Sequence, residues 1–172
     1  MPYSDNENKQ VAKDWYEQIK PKRVLDIGPG EGTYQILMND SAAHWTAVEA
    51  WGTYVNQFNL KEKYDEVVVA DVTYLDFDKL DHFDLIIIGD CIEHIAKDKA
   101  KLLILEMLKH TDHLLISFPV IHLDQEPWEG NYFEEHIGHW HYDEMAEFLG
   151  DSIVKTELGE TLAYFLVKGD RQ

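Results

Sequence analysis

The sequence predicts an α/β domain with a mainly parallel sheet and right-handed crossovers. Three observations carry this. Strand-like and helix-like segments alternate five times along the 172 residues. The most apolar run, Phe83-Asp84-Leu85-Ile86-Ile87-Ile88, holds three consecutive isoleucines, which suits a strand covered on both faces. A glycine-rich turn, Gly28-Pro29-Gly30-Glu31-Gly32, follows the first strand-like run.

Taken in order, residues 6–19 read as an amphipathic helix. Val11, Trp15, Tyr16 and Ile19 fall at helical spacing, and Pro21 stops the helix. Residues 23–27 read as a buried strand running into the glycine turn, and 31–38 resume helical spacing. Residues 45–48 form a second strand and 53–60 a helix. Three consecutive valines mark a third strand at 66–69. After the strand at 83–88, a helix at 98–109 carries Leu102, Leu105, Met107 and Leu108. A fifth strand at 114–118 ends at Pro119. The segment from Val120, about 20 residues rich in His, aromatics and acids, is too long for an ordinary connection, and such segments usually carry function. A helix at 142–149 and two closing strands, 153–156 and 162–167, complete the chain.

Length fits one domain, 1–172, able to bury a core. With 45% hydrophobic and 12% aromatic residues the chain is not expected to be disordered. Asp and Glu number 33 against 15 Lys and Arg, a net charge of −18. That charge opposes binding to phosphate backbones and anionic membrane surfaces, and no basic cluster offsets it. The expected partner is a small molecule, not nucleic acid or a membrane; the charge also serves solubility. A single cysteine, Cys91, cannot form an intramolecular disulfide. Residues 1–7 lack the basic and apolar regions of a signal peptide, and no apolar run is long enough to span a bilayer. The expected location is cytoplasmic. The oligomeric state stays open.

In a parallel sheet of this kind ligands bind at the carboxyl ends of the strands. The glycine turn lies at such an end. A dinucleotide fingerprint is Gly-x-Gly-x-x-Gly, built around a pyrophosphate. Here the pattern is Gly-x-Gly-x-Gly, with acids at Asp26 and Glu31. Acids beside the turn disfavour a pyrophosphate. They suit a ligand carrying an ammonium and a sulfonium, as S-adenosylmethionine does. Glu49 lies about 20 residues after Gly28, the offset of an acid that accepts from ribose hydroxyls. Asp71, ending the third strand, suits an adenine amino group, and Trp51 suits an adenine face. The plain alternatives are a solvated carboxylate for each acid and core packing for Trp51.

Residues 23–118 resemble the core of the class I S-adenosylmethionine-dependent methyltransferases. The resemblance rests on Val24–Tyr34, on Glu49, on Ala70-Asp71-Val72, and on Phe83–Ile95 with its Asp90-Cys91-Ile92-Glu93-His94 form. It implies a Rossmann-like, seven-stranded sheet with helices on both faces and the last strand antiparallel. It also implies S-adenosyl-L-methionine as cofactor, with Asp26 and Gly28 near its methionine portion and Asp90 near its amino group. The candidate cofactor residues are Asp26, Gly28, Gly30, Gly32, Glu49, Ala50, Trp51, Asp71, Val72 and Asp90.

Methyl transfer from a sulfonium needs a positioned acceptor, and a base where the acceptor is a hydroxyl or an ammonium. The candidates are His94, beyond the fourth strand, and His136. The second lies in a segment resembling the one after the fifth strand in a subset of these enzymes, matched at His136, Trp140, Asp143 and Glu144. There it faces the active site beneath a cover formed by residues 120–140. The plain alternative is a set of loop histidines. His136, His139, His141, His122 and Glu135 could gather a metal, but their spacing fits no standard motif, and none is expected.

The expected activity is methyl transfer to oxygen or nitrogen of a small molecule, such as a sugar-containing or other biosynthetic intermediate. A methyltransferase acting on a protein and a non-catalytic cofactor-binding scaffold or regulator are the alternatives.

Overall fold

A computed structural model describes residues 6–122 and 124–170. Residues 1–5, within the expected N-terminal region, and Leu123, within the expected cover, lie outside the described residues. In chain order the elements are α1 (Lys9–Ile19), β1 (Arg23–Ile27), α2 (Thr33–Met38), β2 (His44–Glu49), α3 (Gly52–Gln57), α4 (Leu60–Lys63) and β3 (Glu66–Val69). They continue with β4 (Phe83–Gly89), α5 (Lys97–Lys109), β5 (Thr111–Pro119), α6 (Tyr142–Leu149), β6 (Ile153–Leu158) and β7 (Leu162–Lys168). The helix expected at 53–60 is two short helices instead. Asn59, with φ of 51°, adopts the left-handed conformation that separates them.

The strands form one seven-stranded sheet in the order β3-β2-β1-β4-β5-β7-β6. β1 to β5 run parallel, and β7 runs antiparallel to both β5 and β6. The last strand is therefore the reversed one, inserted inside the edge as half of a hairpin. The isoleucine run explains itself in β4. Leu85 and Ile87 join a core with α1, α2 and α4 through Ala12, Trp15, Tyr34, Met38 and Leu60. Ile86 and Ile88 join the opposite core with α5 and α6 through Leu103, Ile104, Met107, Met145 and Leu149. Alternation along a strand sends successive residues to opposite faces, so burial on both faces needs an unbroken apolar run. No helix among the described residues is long and apolar enough to cross a membrane.

The connection after β1 crosses to one side of the sheet and the connection to β4 returns to the other. Their divergence opens a crevice at the carboxyl ends of β1, β2 and β4.

Candidate active site

The cleft begins where β1 stops. The Gly28 N–H still donates to the Val48 carbonyl at 2.9 Å, and the chain then turns away through Gly28, Gly30 and Gly32, all at positive φ. Gly28 cannot be another residue without cost. Its φ is +64°, and a Cβ there would sit 2.6 Å from the Cys91 sulfur. The turn thus packs directly on the loop that follows β4.

The cleft encloses about 880 Å³, part of it open to solvent. Gly28, Gly30, Glu49, Ala50, Asp71, Val72, Asp90 and His94 line it. Asp26, Gly32, Trp51 and His136 are not lining residues. Asp26 lies beneath the floor, 1% exposed, and accepts from the Tyr64 hydroxyl at 2.6 Å. Trp51 is half-buried, and its backbone N–H donates to Glu49 Oε1 at 2.8 Å.

Each acid is held by its local structure. Asp71 caps the short helical turn Val72–Tyr74: its Oδ1 accepts from the Thr73 N–H at 2.9 Å and the Thr73 hydroxyl at 2.7 Å. Asp90 has φ of 49°, a costly conformation for a non-glycine residue that often marks functional sites. It is fixed from two sides. Ser117 Oγ donates to Oδ1 at 2.9 Å, and Lys9 Nζ pairs with Oδ2 at 3.2 Å. Because Ser117 gives its proton to Asp90, the Tyr34 hydroxyl donates to Ser117 at 2.7 Å. Burial pushes the Glu49 carboxyl up to about 7, against the Trp51 N–H that lowers it. Burial likewise raises Asp26 to about 7, although the Tyr64 hydroxyl and Lys9 oppose this.

The residues after β5 do form one side of the cleft, through Asn131, Phe133 and Glu134. Sequence reasoning assigned this cover but not these residues, nor Tyr34 and Tyr54. Only Asn131 carried a legible signal: it follows Gly130 and caps the turn Tyr132–Glu134 by accepting from the Phe133 N–H at 3.0 Å. Trp140 anchors the far end of the cover. It is 2% exposed against Phe118, with Lys97 5.3 Å above its ring, and Lys97 also pairs with Glu144.

The two candidate histidines meet, with ring centroids 4.8 Å apart. His94 Nδ1 lies 3.1 Å from the Glu135 carbonyl, which can only accept, so Nδ1 carries the proton. Burial holds the His94 imidazole down at about 4. It is therefore neutral near pH 7. The five residues weighed together as a metal group separate. His136 lies with Glu93 and His94, while His122 and His139 lie with Asp124, and neither group includes His141 or Glu135.

Residues 25–113, just over half of the chain, match a family model described as a methyltransferase domain. The chain belongs to that family. No curated protein matches the methyltransferase in sequence. Among solved structures it is similar to the N-terminal domain of EvdMO1 with SAH bound, at 14% identity and a TM-score of 0.69, covering 98% of this chain and 83% of that one. It is similar to TehB from Haemophilus influenzae, at 16% identity and a TM-score of 0.71, covering 95% and 62%. It is also similar to magnesium protoporphyrin IX methyltransferase (ChlM) from Synechocystis PCC 6803 with bound SAH, at 16% identity and a TM-score of 0.68, covering 94% and 81%. At these identities the likeness establishes the fold of the methyltransferase.

Proposed function

We propose that this methyltransferase binds S-adenosylmethionine in the cleft and passes its methyl group to an oxygen or nitrogen of a small-molecule acceptor. The observation that carries the reading is the set of acids around one glycine turn. Glu49 at the end of β2 suits a ribose diol, and Asp71 after β3 suits an adenine amino group. Asp90, after β4, suits an ammonium. This acidic lining favours a ligand bearing ammonium and sulfonium over one bearing a pyrophosphate. EvdMO1 and ChlM, both crystallised with SAH, are compatible with it.

The acceptor enters beside His94, under the cover of residues 120–140. The cofactor supplies the activated carbon, so this chain's residues orient the acceptor, exclude water and handle its proton. His94 and His136 are the groups proposed for that work. The net charge of −18 favours a neutral or cationic small acceptor over nucleic acid, and the single cysteine fits a cytoplasmic enzyme.

Calorimetry on the purified chain tests the cofactor. SAM and SAH should bind and NAD should not, and Asp71→Ala should lose about 0.5–1.5 kcal/mol of affinity. Binding of NAD without a response to SAH would refute the reading. A metabolite screen with labelled SAM then identifies the acceptor, and His94→Ala or His136→Ala should slow its turnover by about 10²-fold or more.

A further inference from the structure

We propose that Glu93, His94 and His136 bind a divalent first-row transition-metal cation at the inner wall of the cleft. One carboxylate oxygen and two ring nitrogens, one from each residue, all lie within 4.8 Å of one another. Ligands about 2.1 Å from one ion stand at most about 4.2 Å apart, so side-chain movements of about 1 Å gather them.

The backbone builds this cluster from distant parts of the chain. Glu93 and His94 sit on the turn Ile92–His94, just after β4. The cover brings His136 to them, because the Ile137 and Gly138 N–H groups both donate to the Glu93 carbonyl, at 3.0 and 2.8 Å. The His136 N–H is tied in turn to the Gln125 carbonyl at 3.0 Å. Gly138 permits this approach, since a Cβ there would stand 2.3 Å from the Ile95 carbonyl oxygen.

Two features of the side chains point to a ligand. Glu93 is 4% exposed, and its Oε2 has no hydrogen-bond partner among the described residues. A buried carboxylate oxygen without a partner is costly, and a cation supplies one. His94 donates from Nδ1 to the Glu135 carbonyl, which fixes its tautomer and leaves Nε2 as an acceptor. A metal-ligating histidine is typically oriented by such a bond from its other ring nitrogen.

Two imidazoles and one carboxylate select zinc, cobalt or iron over calcium, magnesium and manganese, which prefer oxygen ligands. Three protein ligands leave a position open, as in catalytic sites. His94 lines the cofactor cleft, while Glu93 and His136 line a smaller cavity beside Trp140. The cation would bridge the two spaces, its open position available to an oxygen of the acceptor. This last role rests on the acceptor site proposed above, where with the cation bound the two histidines serve as its ligands and not as bases; cation binding does not rest on it.

Co²⁺ is the probe, titrated into the chelator-treated full chain and followed by its visible absorption and by calorimetry. One equivalent should bind, and competition with Zn²⁺ should displace it. His136→Asn and Glu93→Gln should each weaken binding at least tenfold, with thermal melts reporting whether each variant is folded. His136 sits on the cover, so its variant keeps the test decisive if Glu93→Gln does not fold. Asp78→Asn, in the separate cluster with Glu106 and His110, should bind as wild type. No bound equivalent, or equal binding by folded His136→Asn, would overturn the proposal. So would loss of binding in His139→Asn alone, which would move the ion to the His122 and Asp124 group. SAH calorimetry on the same samples separates the two readings: Co²⁺ binding without SAH binding leaves the metal site and removes the cofactor, and the reverse removes only the metal.

Discussion

Glu49 shows how position changes a residue's chemistry. On the surface it would be ionised at pH 5. At the end of β2, 5% exposed, it is held at about 7 by burial, with Glu134 and Asp26 adding to the rise while the Trp51 and Ala50 N–H groups oppose it. A ribose diol donates more strongly to the ionised form, which accepts at both oxygens, than to the protonated one, which keeps a single carbonyl acceptor and a competing O–H donor. SAH affinity should therefore rise with pH toward about 7 and then level, and calorimetry between pH 5.5 and 8.5 measures it. Glu49→Gln should bind more weakly, with a flatter profile. A wild-type profile without slope would remove Glu49 from the ribose, and a slope surviving in the variant would assign it to Asp26. Asp90 differs in kind. Ser117 and Lys9 already hold its two oxygens, so an arriving ammonium meets a carboxylate fixed in place.

At the scale of elements, α1 is the piece whose placement is least explained by its own sequence. Its N-cap, Asn8, makes no side-chain capping bond. Glu7 ties the helix to the β6–β7 turn instead. Its carboxylate accepts from the Glu160, Thr161 and Leu162 N–H groups, at 2.7 to 2.8 Å, and from the Thr161 hydroxyl at 2.8 Å. These donors, Leu162 first, hold the carboxyl down at about 2. The stability it contributes is thus fully present above the ordinary value of 4.5 and is lost as pH falls toward about 2. Glu7→Gln should melt at a lower temperature at pH 7.5, and the gap from wild type should shrink at pH 3. An equal gap at both values would mean the ionised carboxylate is not what holds the turn. Because Lys9 follows two residues later and reaches Asp90, the same tie steadies the cleft.

Across the whole molecule, two opposing needs meet. The sheet buries apolar residues on both faces, in two cores, while the surface carries a net charge of −18. Like charges at this excess repel within the folded state, and salt screens that repulsion over about 10 Å at 0.1 M. Thermal melts should therefore move upward as NaCl rises from about 20 to about 300 mM. A downward shift would mean that attractive pairs such as Arg23–Asp81 and Lys97–Glu144 outweigh the general repulsion.

Sequence alone determined the parts of this protein whose physics is local or periodic. The isoleucines of β4 announced burial on both faces, and Gly28 to Gly32 announced a turn at a strand end. Glu49 and Asp71 were legible because strand ends in a parallel sheet converge, and Asp90 was implied by the family resemblance of its strand-end motif. Asn59 was missed because a single left-handed residue breaks a helix without changing its apolar spacing. Only the tertiary structure decided that Asp26 lies under the floor and not in the cleft, that Trp51 does not line it, and that burial holds the His94 imidazole down at about 4. Only it brought Glu93 and His94 to His136, more than 40 residues away in the chain. That meeting depends on two backbone hydrogen bonds to Glu93 and on the missing side chain of Gly138. Such a contact between a loop and a strand end has no periodicity; the family resemblance turned His136 toward the active site, but not onto Glu93.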